Sequence, residues 1–96
     1  MKYNLPQRVE HEIISIAKKN GIKKVILFGS RARGTNTERS DIDLAVSGDK
    51  FDSFYWDIKE SLHTLLMCDV VNIDSGISDE LNFELKKDGV IIYEKA

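Results

Sequence analysis

The sequence predicts an α+β or mixed α/β fold, a sandwich of one sheet with helices, in the order α-β-β-α-β-α-β. Three observations carry this. Apolar residues recur at helical spacing in three separate segments. Short β-branched or alternating runs lie between and after them. Gly21, Gly29, Gly48 and Gly89 punctuate the junctions.

The first helix is expected from about Pro6 to Asn20. Val9, Ile13, Ile16 and Ala17 form one stripe. Pro6 suits a first turn, Lys18 and Lys19 favour the negative helix end, and Gly21 is a natural stop. Lys24 to Phe28 is a buried strand by its β-branched and aromatic content. A polar stretch from Gly29 to Ser40 follows. Asp41 to Val46 alternates strictly, with Ile42, Leu44 and Val46 on one face, and Ser47-Gly48 ends it. The longest amphipathic segment runs from about Lys50 to Leu66, on the spacing of Phe51, Phe54, Tyr55, Ile58, Leu62, Leu65 and Leu66. Cys68 to Ile73 is a third strand. Ser78 caps a last helix that carries Leu81 and Leu85 on one face and stops at Gly89. Val90 to Tyr93 is the final strand.

Composition narrows the function classes. The chain has 96 residues, 42% of them hydrophobic and 31% charged, as in folded soluble domains. We expect a single domain over residues 1–96. Lys plus Arg is 14 and Asp plus Glu is 16, a net charge of -2. A protein that mainly coats nucleic acid carries a basic excess instead. Cys68 is the single cysteine, so no internal disulfide forms and a reducing cytoplasm is the expected location. Met1 to Pro6 lacks the layout of a signal peptide. His11 and His63 lie too far apart to form a recognisable metal spacing.

The chemistry concentrates in Gly29-Ser30, ten intervening residues, and Asp41-Ile42-Asp43. Aspartate is disfavoured in strands. Two at alternate positions place both carboxylates on one face, about 6–7 Å apart at the backbone. Like charges repel unless a cation lies between them. Hard carboxylate oxygens suit Mg²⁺, which completes its shell with water and substrate phosphates. Gly29-Ser30 directly follows a buried strand. Glycine permits close backbone approach, and the N–H groups of the following turn are placed to cradle a phosphate. A third carboxylate would complete a two-metal site. Asp69, near the start of the third strand, is the candidate. Asp74 is the competitor, but alternation from Asp69 turns it to the opposite side.

The stretch FGSRARGTNTERSDIDLAV resembles the signature of the polymerase-β-like nucleotidyltransferases, G-S, a spacer and D-x-D. The RARG opening of the spacer and the SDIDL after it are similar to the minimal nucleotidyltransferases of prokaryotes. CDVVNID resembles the family's third-carboxylate strand, and the helix ending in KKDGVIIYE resembles its terminus. The resemblance covers the chain from about Ile13 onward. It implies the nucleotidyltransferase core fold, a mixed sheet with helices packed mainly on one side. It implies that Asp41 and Asp43 ligate two Mg²⁺ ions. Asp69 would ligate one of them and help to remove a proton from an acceptor hydroxyl. Gly29 and Ser30 would hold the triphosphate of ATP or another nucleoside triphosphate. The hydroxyl would attack the α-phosphate and release pyrophosphate.

Minimal members of that family commonly work with a separate all-helical protein of the HEPN or substrate-binding type. In HEPN–nucleotidyltransferase pairs the nucleotidyltransferase is the antitoxin, and some attach AMP to a tyrosine of the toxin. The resemblance therefore implies a hetero-oligomer and protein adenylylation. The short length fits this, since 96 residues leave little room for an acceptor pocket. Two alternatives stand beside it. One is an antitoxin that neutralises by contact alone. The other is the catalytic subunit of a two-protein enzyme acting on a small molecule.

The remaining polar residues divide less sharply. Arg31, Arg33 and Arg39 are opposed locally only by Glu38, and either line a solvated loop or contact phosphates or an acidic partner. Cys68 is expected to be a small buried filler. His11 and His63 are surface or packing residues. Trp56 is either core edge or part of an exposed partner patch.

Overall fold

The computed structural model describes residues 3–96; Met1 and Lys2, part of the N-terminal stretch discussed above, lie outside the described residues. The elements are α1 (Gln7–Lys19), β1 (Ile22–Phe28), α2 (Ser30–Arg33), β2 (Ile42–Gly48), α3 (Phe51–Ser61), β3 (Cys68–Asn72), a 3₁₀ turn (Ile73–Ser75), α4 (Asp79–Asp88) and β4 (Val90–Glu94). The order matches the expected one, with α2 added inside the stretch read as an irregular connection.

The strands form one mixed sheet in the order β3-β2-β1-β4. β1 pairs antiparallel with β2 and with β4, while β2 and β3 are parallel. The connection from β1 to β2 carries α2 and returns the chain antiparallel, and the β2–α3–β3 crossover suits parallel pairing.

Ile42, Leu44 and Val46 of β2 are fully buried, as are Val25 and Leu27 of β1. They pack with Val9, Ile13 and Ala17 of α1 and Phe54 and Ile58 of α3. One face of the sheet is therefore the core face, covered by α1 and α3. α4 contributes no buried residue. It lies against β1, where a Cβ placed on Gly89 would sit 2.8 Å from Ile26 Cγ2. Ile26 alternates with the core residues Val25 and Leu27, so α4 serves the other face.

α1 follows its apolar stripe closely, with Pro6 as the flanking N-terminal residue and Asn20 as the C-terminal one. Asn20 is buried and donates from Nδ2 to Ile16 O and to the Asp57 carboxylate, both at 2.9 Å, tying α1 to α3. Ser78 caps α4 by accepting from Leu81 N at 3.1 Å.

α3 is shorter than its apolar spacing predicts. It ends at Ser61, and Leu62 is extended. The Glu12 carboxylate of α1 accepts from His63 N at 2.8 Å, and Thr64 Oγ1 accepts from Leu66 N at 3.1 Å. These side chains satisfy donors that a continuing helix would use, so the chain turns away. Leu62 and Leu66 still pack on the core, whereas Leu65 is wholly exposed. The third strand likewise stops one residue early, because Ile73 enters the 3₁₀ turn.

Candidate active site

β2 carries Asp43 at its second position, between β1 and β3. Across the sheet it pairs with Phe28 on one side and Asp69 on the other. Residues opposite one another on neighbouring strands project to the same face. Ile42 and Leu44 occupy the core face, so Asp43 and Asp69 share the other one. Asp43 is half-buried and Asp69 is exposed. The parallel register thus places the expected third carboxylate beside the D-x-D motif.

Asp41 is exposed and lies one residue before β2 begins. Its alternation with Asp43 predicts a strand residue, and the structure instead leaves it just outside β2. Ladder pairing starts at Ile42, whose N–H donates to Met67 O at 2.8 Å. Asp41 still lies close enough to bear on the charge of Asp43.

Gly29 ends the turn out of β1 with φ 77° and ψ -158°, a conformation open in practice to glycine alone. A Cβ there would collide with the Asp43 carboxylate, lying 3.2 Å from Cγ. The absence of a side chain is what lets the Gly29-Ser30 turn lie directly against Asp43. Ser30 opens the short helix α2, and the N–H groups of Ala32 and Arg33 donate to Gly29 O at 3.1 and 3.2 Å. Gly34, at φ 79°, closes it in a left-handed cap.

The electrostatics are strongly one-signed. Burial raises the pKa of Asp43 above the usual aspartate value, and the charges of Asp69, Asp41 and Glu84 push it further the same way. Arg33 opposes them. Arg33 Nη1 lies 3.4 Å from Glu84 Oε2, so α2 and α4 meet at this edge of the site. Among the described residues no three Asp, Glu, His or Cys side chains already converge on a common metal position. The donor set fits a hard divalent cation, since its oxygens are carboxylates and only Arg33 opposes their charge on Asp43.

The structure separates the other polar residues. Arg31 is 2% exposed and so is neither a solvated loop residue nor open to phosphate. Arg39 is exposed. Asp74 lies in the 3₁₀ turn, where its carboxylate accepts from Ser47 Oγ at 2.9 Å and Gly48 N at 3.0 Å. It clips the end of β2 and takes no part in the site. Glu84 is a site neighbour that sequence reading misses, because only the packing of α4 brings it there. Cys68 is buried, and burial pushes its thiol up to about 12, which makes it inert. Trp56 is 59% exposed, which excludes it from the core. His11 and His63 are exposed. A depression of about 550 Å³ runs along α1 and is lined by Gln7, Arg8, His11, Glu12 and Ser15, away from the aspartates. The aspartates instead lie on the sheet face that α4 shares, with Asp41 and Asp69 exposed and Asp43 half-buried.

This sheet and carboxylate layout are those of the nucleotidyltransferase class. The chain belongs to the polymerase beta nucleotidyltransferase family, whose model matches residues 11–96. Its fold is shared with a toxin–antitoxin structure containing AMP-PNP, at a TM-score of 0.68 and 24% identity, over 90% of this chain and 73% of that one. It is also shared with the MntA–HepT toxin–antitoxin, at a TM-score of 0.62 and 23% identity, over 93% of this chain and 73% of that one. A stretch of 28 residues is 68% identical to a protein of Methanocaldococcus jannaschii provisionally named protein adenylyltransferase MJ0604. That stretch spans 29% of this chain and 28% of the relative. Among the described residues no helix is long and apolar enough to cross a membrane.

Proposed function

We propose that residues 1–96 act as one Mg²⁺-dependent nucleotidyltransferase domain that transfers AMP from ATP to a hydroxyl of a separate helical protein. The observation that carries this reading is the pairing of Asp43 with Asp69, with Gly29 packed directly against the Asp43 carboxylate. Asp41, Asp43 and Asp69 are the residues that would hold the metal. Magnesium bound there supplies charge neutralisation for a triphosphate and a template for in-line displacement. Gly29 and Ser30 hold the triphosphate tail through backbone N–H groups and the serine hydroxyl. Asp69, exposed at the acceptor side, takes the proton of the attacking hydroxyl. The new bond joins that oxygen to the α-phosphorus, and the bond to the β-phosphate oxygen breaks to release pyrophosphate. Positioning and electrostatics do most of the work, since this chemistry asks little covalent participation of the protein.

Two findings support a protein acceptor. Asp41 and Asp69 are exposed on the sheet face opposite the core, so a macromolecular hydroxyl could reach them beside α2 and α4. The fold is that of proteins found in toxin–antitoxin complexes, which favours a HEPN-type helical partner and an antitoxin role. Buried, inert Cys68 is compatible with a reducing cytoplasm.

The test is transfer of labelled AMP from ATP onto a co-expressed helical partner, with and without Mg²⁺. Label is expected on the partner only with Mg²⁺ and only with intact aspartates. Absence of transfer with every nucleotide would sink the mechanism. The doubly substituted Asp41→Asn, Asp43→Asn chain separates catalysis from contact. Full neutralisation of a toxin by that variant would assign antitoxicity to binding alone.

A further inference from the structure

Arg31 is a buried cation with no anionic partner. Its side chain is 2% exposed, and none of the ion pairs among the described residues includes it. Its guanidinium is instead surrounded by main-chain carbonyls. Nε donates to Ser40 O at 3.0 Å, Nη1 to Asn4 O at 3.2 Å, and Nη2 to Glu38 O at 3.0 Å and Thr37 O at 3.5 Å. Arg31 O in turn accepts from Asn4 N at 2.8 Å. One side chain therefore joins the segment before α1 to the loop that leads into Asp41. A desolvated charge is costly unless fully hydrogen-bonded, so this arrangement needs a compensating use.

The use follows from how differently the aspartates are held. Asp43 and Asp69 are fixed by ladder pairing. Asp41 has no ladder partner and sits between two anchors. After it, Ile42 N donates to Met67 O at 2.8 Å. Before it, Ser40 O is gripped by Arg31. The loop's own bonds, from Thr37 N to Ser40 Oγ at 2.8 Å and from Ser40 N to Thr37 O at 3.2 Å, close it into a turn but do not tie it to the body of the protein. That tie is made by Arg31.

We propose that Arg31 is a positioning residue for Asp41: its fork pins residues 37–40 and so sets where the first carboxylate of the D-x-D pair stands relative to Asp43. The inference rests on the reading of Asp41 as a cation ligand. Lysine keeps the charge but has a single nitrogen, which cannot span carbonyls of three loop residues and Asn4 as a planar fork does.

The test compares the wild-type chain with Arg31→Lys and Arg31→Gln, each checked for wild-type far-UV circular dichroism. Two readouts are taken: direct Mn²⁺ titration, and amide hydrogen exchange without metal. In Arg31→Lys, exchange is expected to quicken at residues 37–41 while β1 and β2 keep their protection. Mn²⁺ affinity is expected to fall at least about tenfold, as for other residues that orient a metal ligand. Arg31→Lys combined with Asp41→Asn is expected to bind Mn²⁺ no more weakly than Asp41→Asn alone, because both act through one carboxylate. Unchanged exchange and affinity in a folded Arg31→Lys chain would overturn the proposal, as would additive losses in the double variant. If neither Arg31 variant folds, Arg31 serves the stability of the whole domain and the positioning role is lost. If the wild-type chain itself fails to bind Mn²⁺, the cation reading of the site fails; localised exchange at residues 37–41 then still reports whether Arg31 pins the loop.

Discussion

At the scale of single residues, burial and three neighbouring carboxylates raise the Asp43 pKa. The folded state therefore favours protonated Asp43 over what the unfolded chain does. The resulting stabilisation is fully present below the ordinary aspartate pKa and is lost as pH rises through the raised one. Glu12 and Asp57 act the other way. Their pKa values are lowered, chiefly by the His63 backbone N–H and the Asn20 side chain, so they favour the fold above the ordinary carboxylate value. The Asp43 contribution is isolated by comparison with Asp43→Asn. Without metal, the melting temperature of the wild type relative to Asp43→Asn is expected to rise as pH falls through this window. With saturating Mg²⁺ the trend should reverse, since the cation needs the carboxylate. Calorimetry of both chains across that pH range checks the sign. Gly29 provides a second test. Gly29→Ala forces a side chain into a left-handed conformation and against Asp43, which should cost about 1–3 kcal/mol in urea unfolding and weaken ATP binding.

At the scale of elements, the β2–β3 pair shows how similar residues acquire different duties. Asp69 and Asp74 are five positions apart, yet one faces the open sheet surface and the other accepts two hydrogen bonds at the end of β2. Asp74→Ala should destabilise by about 1 kcal/mol per lost bond and leave Mn²⁺ affinity unchanged. Asp69→Asn should do the reverse, weakening Mn²⁺ binding while keeping or raising stability, because it removes a charge that repels Asp43. Parallel unfolding and titration curves decide between them. The truncation of α3 at Ser61 belongs to this scale too. Its apolar spacing continues to Leu66, but hydrogen bonds to the turn from outside the helix outweigh it.

At the scale of the whole molecule, one core supports one open site. The core lies between the sheet and the α1–α3 layer, and Phe54 is its largest fully buried side chain. Phe54→Ala should cost about 3–5 kcal/mol. A domain of this size has a net stability of about 5–15 kcal/mol, so the variant should sit near its unfolding threshold. Its denaturation midpoint, measured with and without Mg²⁺ and ATP, should recover in part on ligand addition, because ligands that bind only the folded state stabilise it by mass action. The carboxylates occupy the face that α1 and α3 leave uncovered. α4 shares that face and brings Glu84 to the edge of the site.

The element order, the core stripes of α1, β1 and β2, and the Gly29-Ser30 and Asp41/Asp43 constellation were legible in the sequence. Each depends on local periodicity or on short spacing along one stretch of chain. Alternation within one strand favours Asp69 over Asp74, but β3 ends at Asn72 and the 3₁₀ turn, not alternation, carries Asp74 to the end of β2. The roles of Arg31 and Glu84, the end of α3, and the place of Asp41 just outside β2 were decided only by tertiary structure. Each depends on a partner far away in the chain: Asn4 for Arg31, Arg33 for Glu84, Glu12 for the turn after α3, and Met67 for the residue that starts β2. Local sequence sets the period of an element and the chemistry it carries. Where an element stops, and whether a charge is buried or bathed, depends on which distant donors and acceptors the packed fold brings within reach.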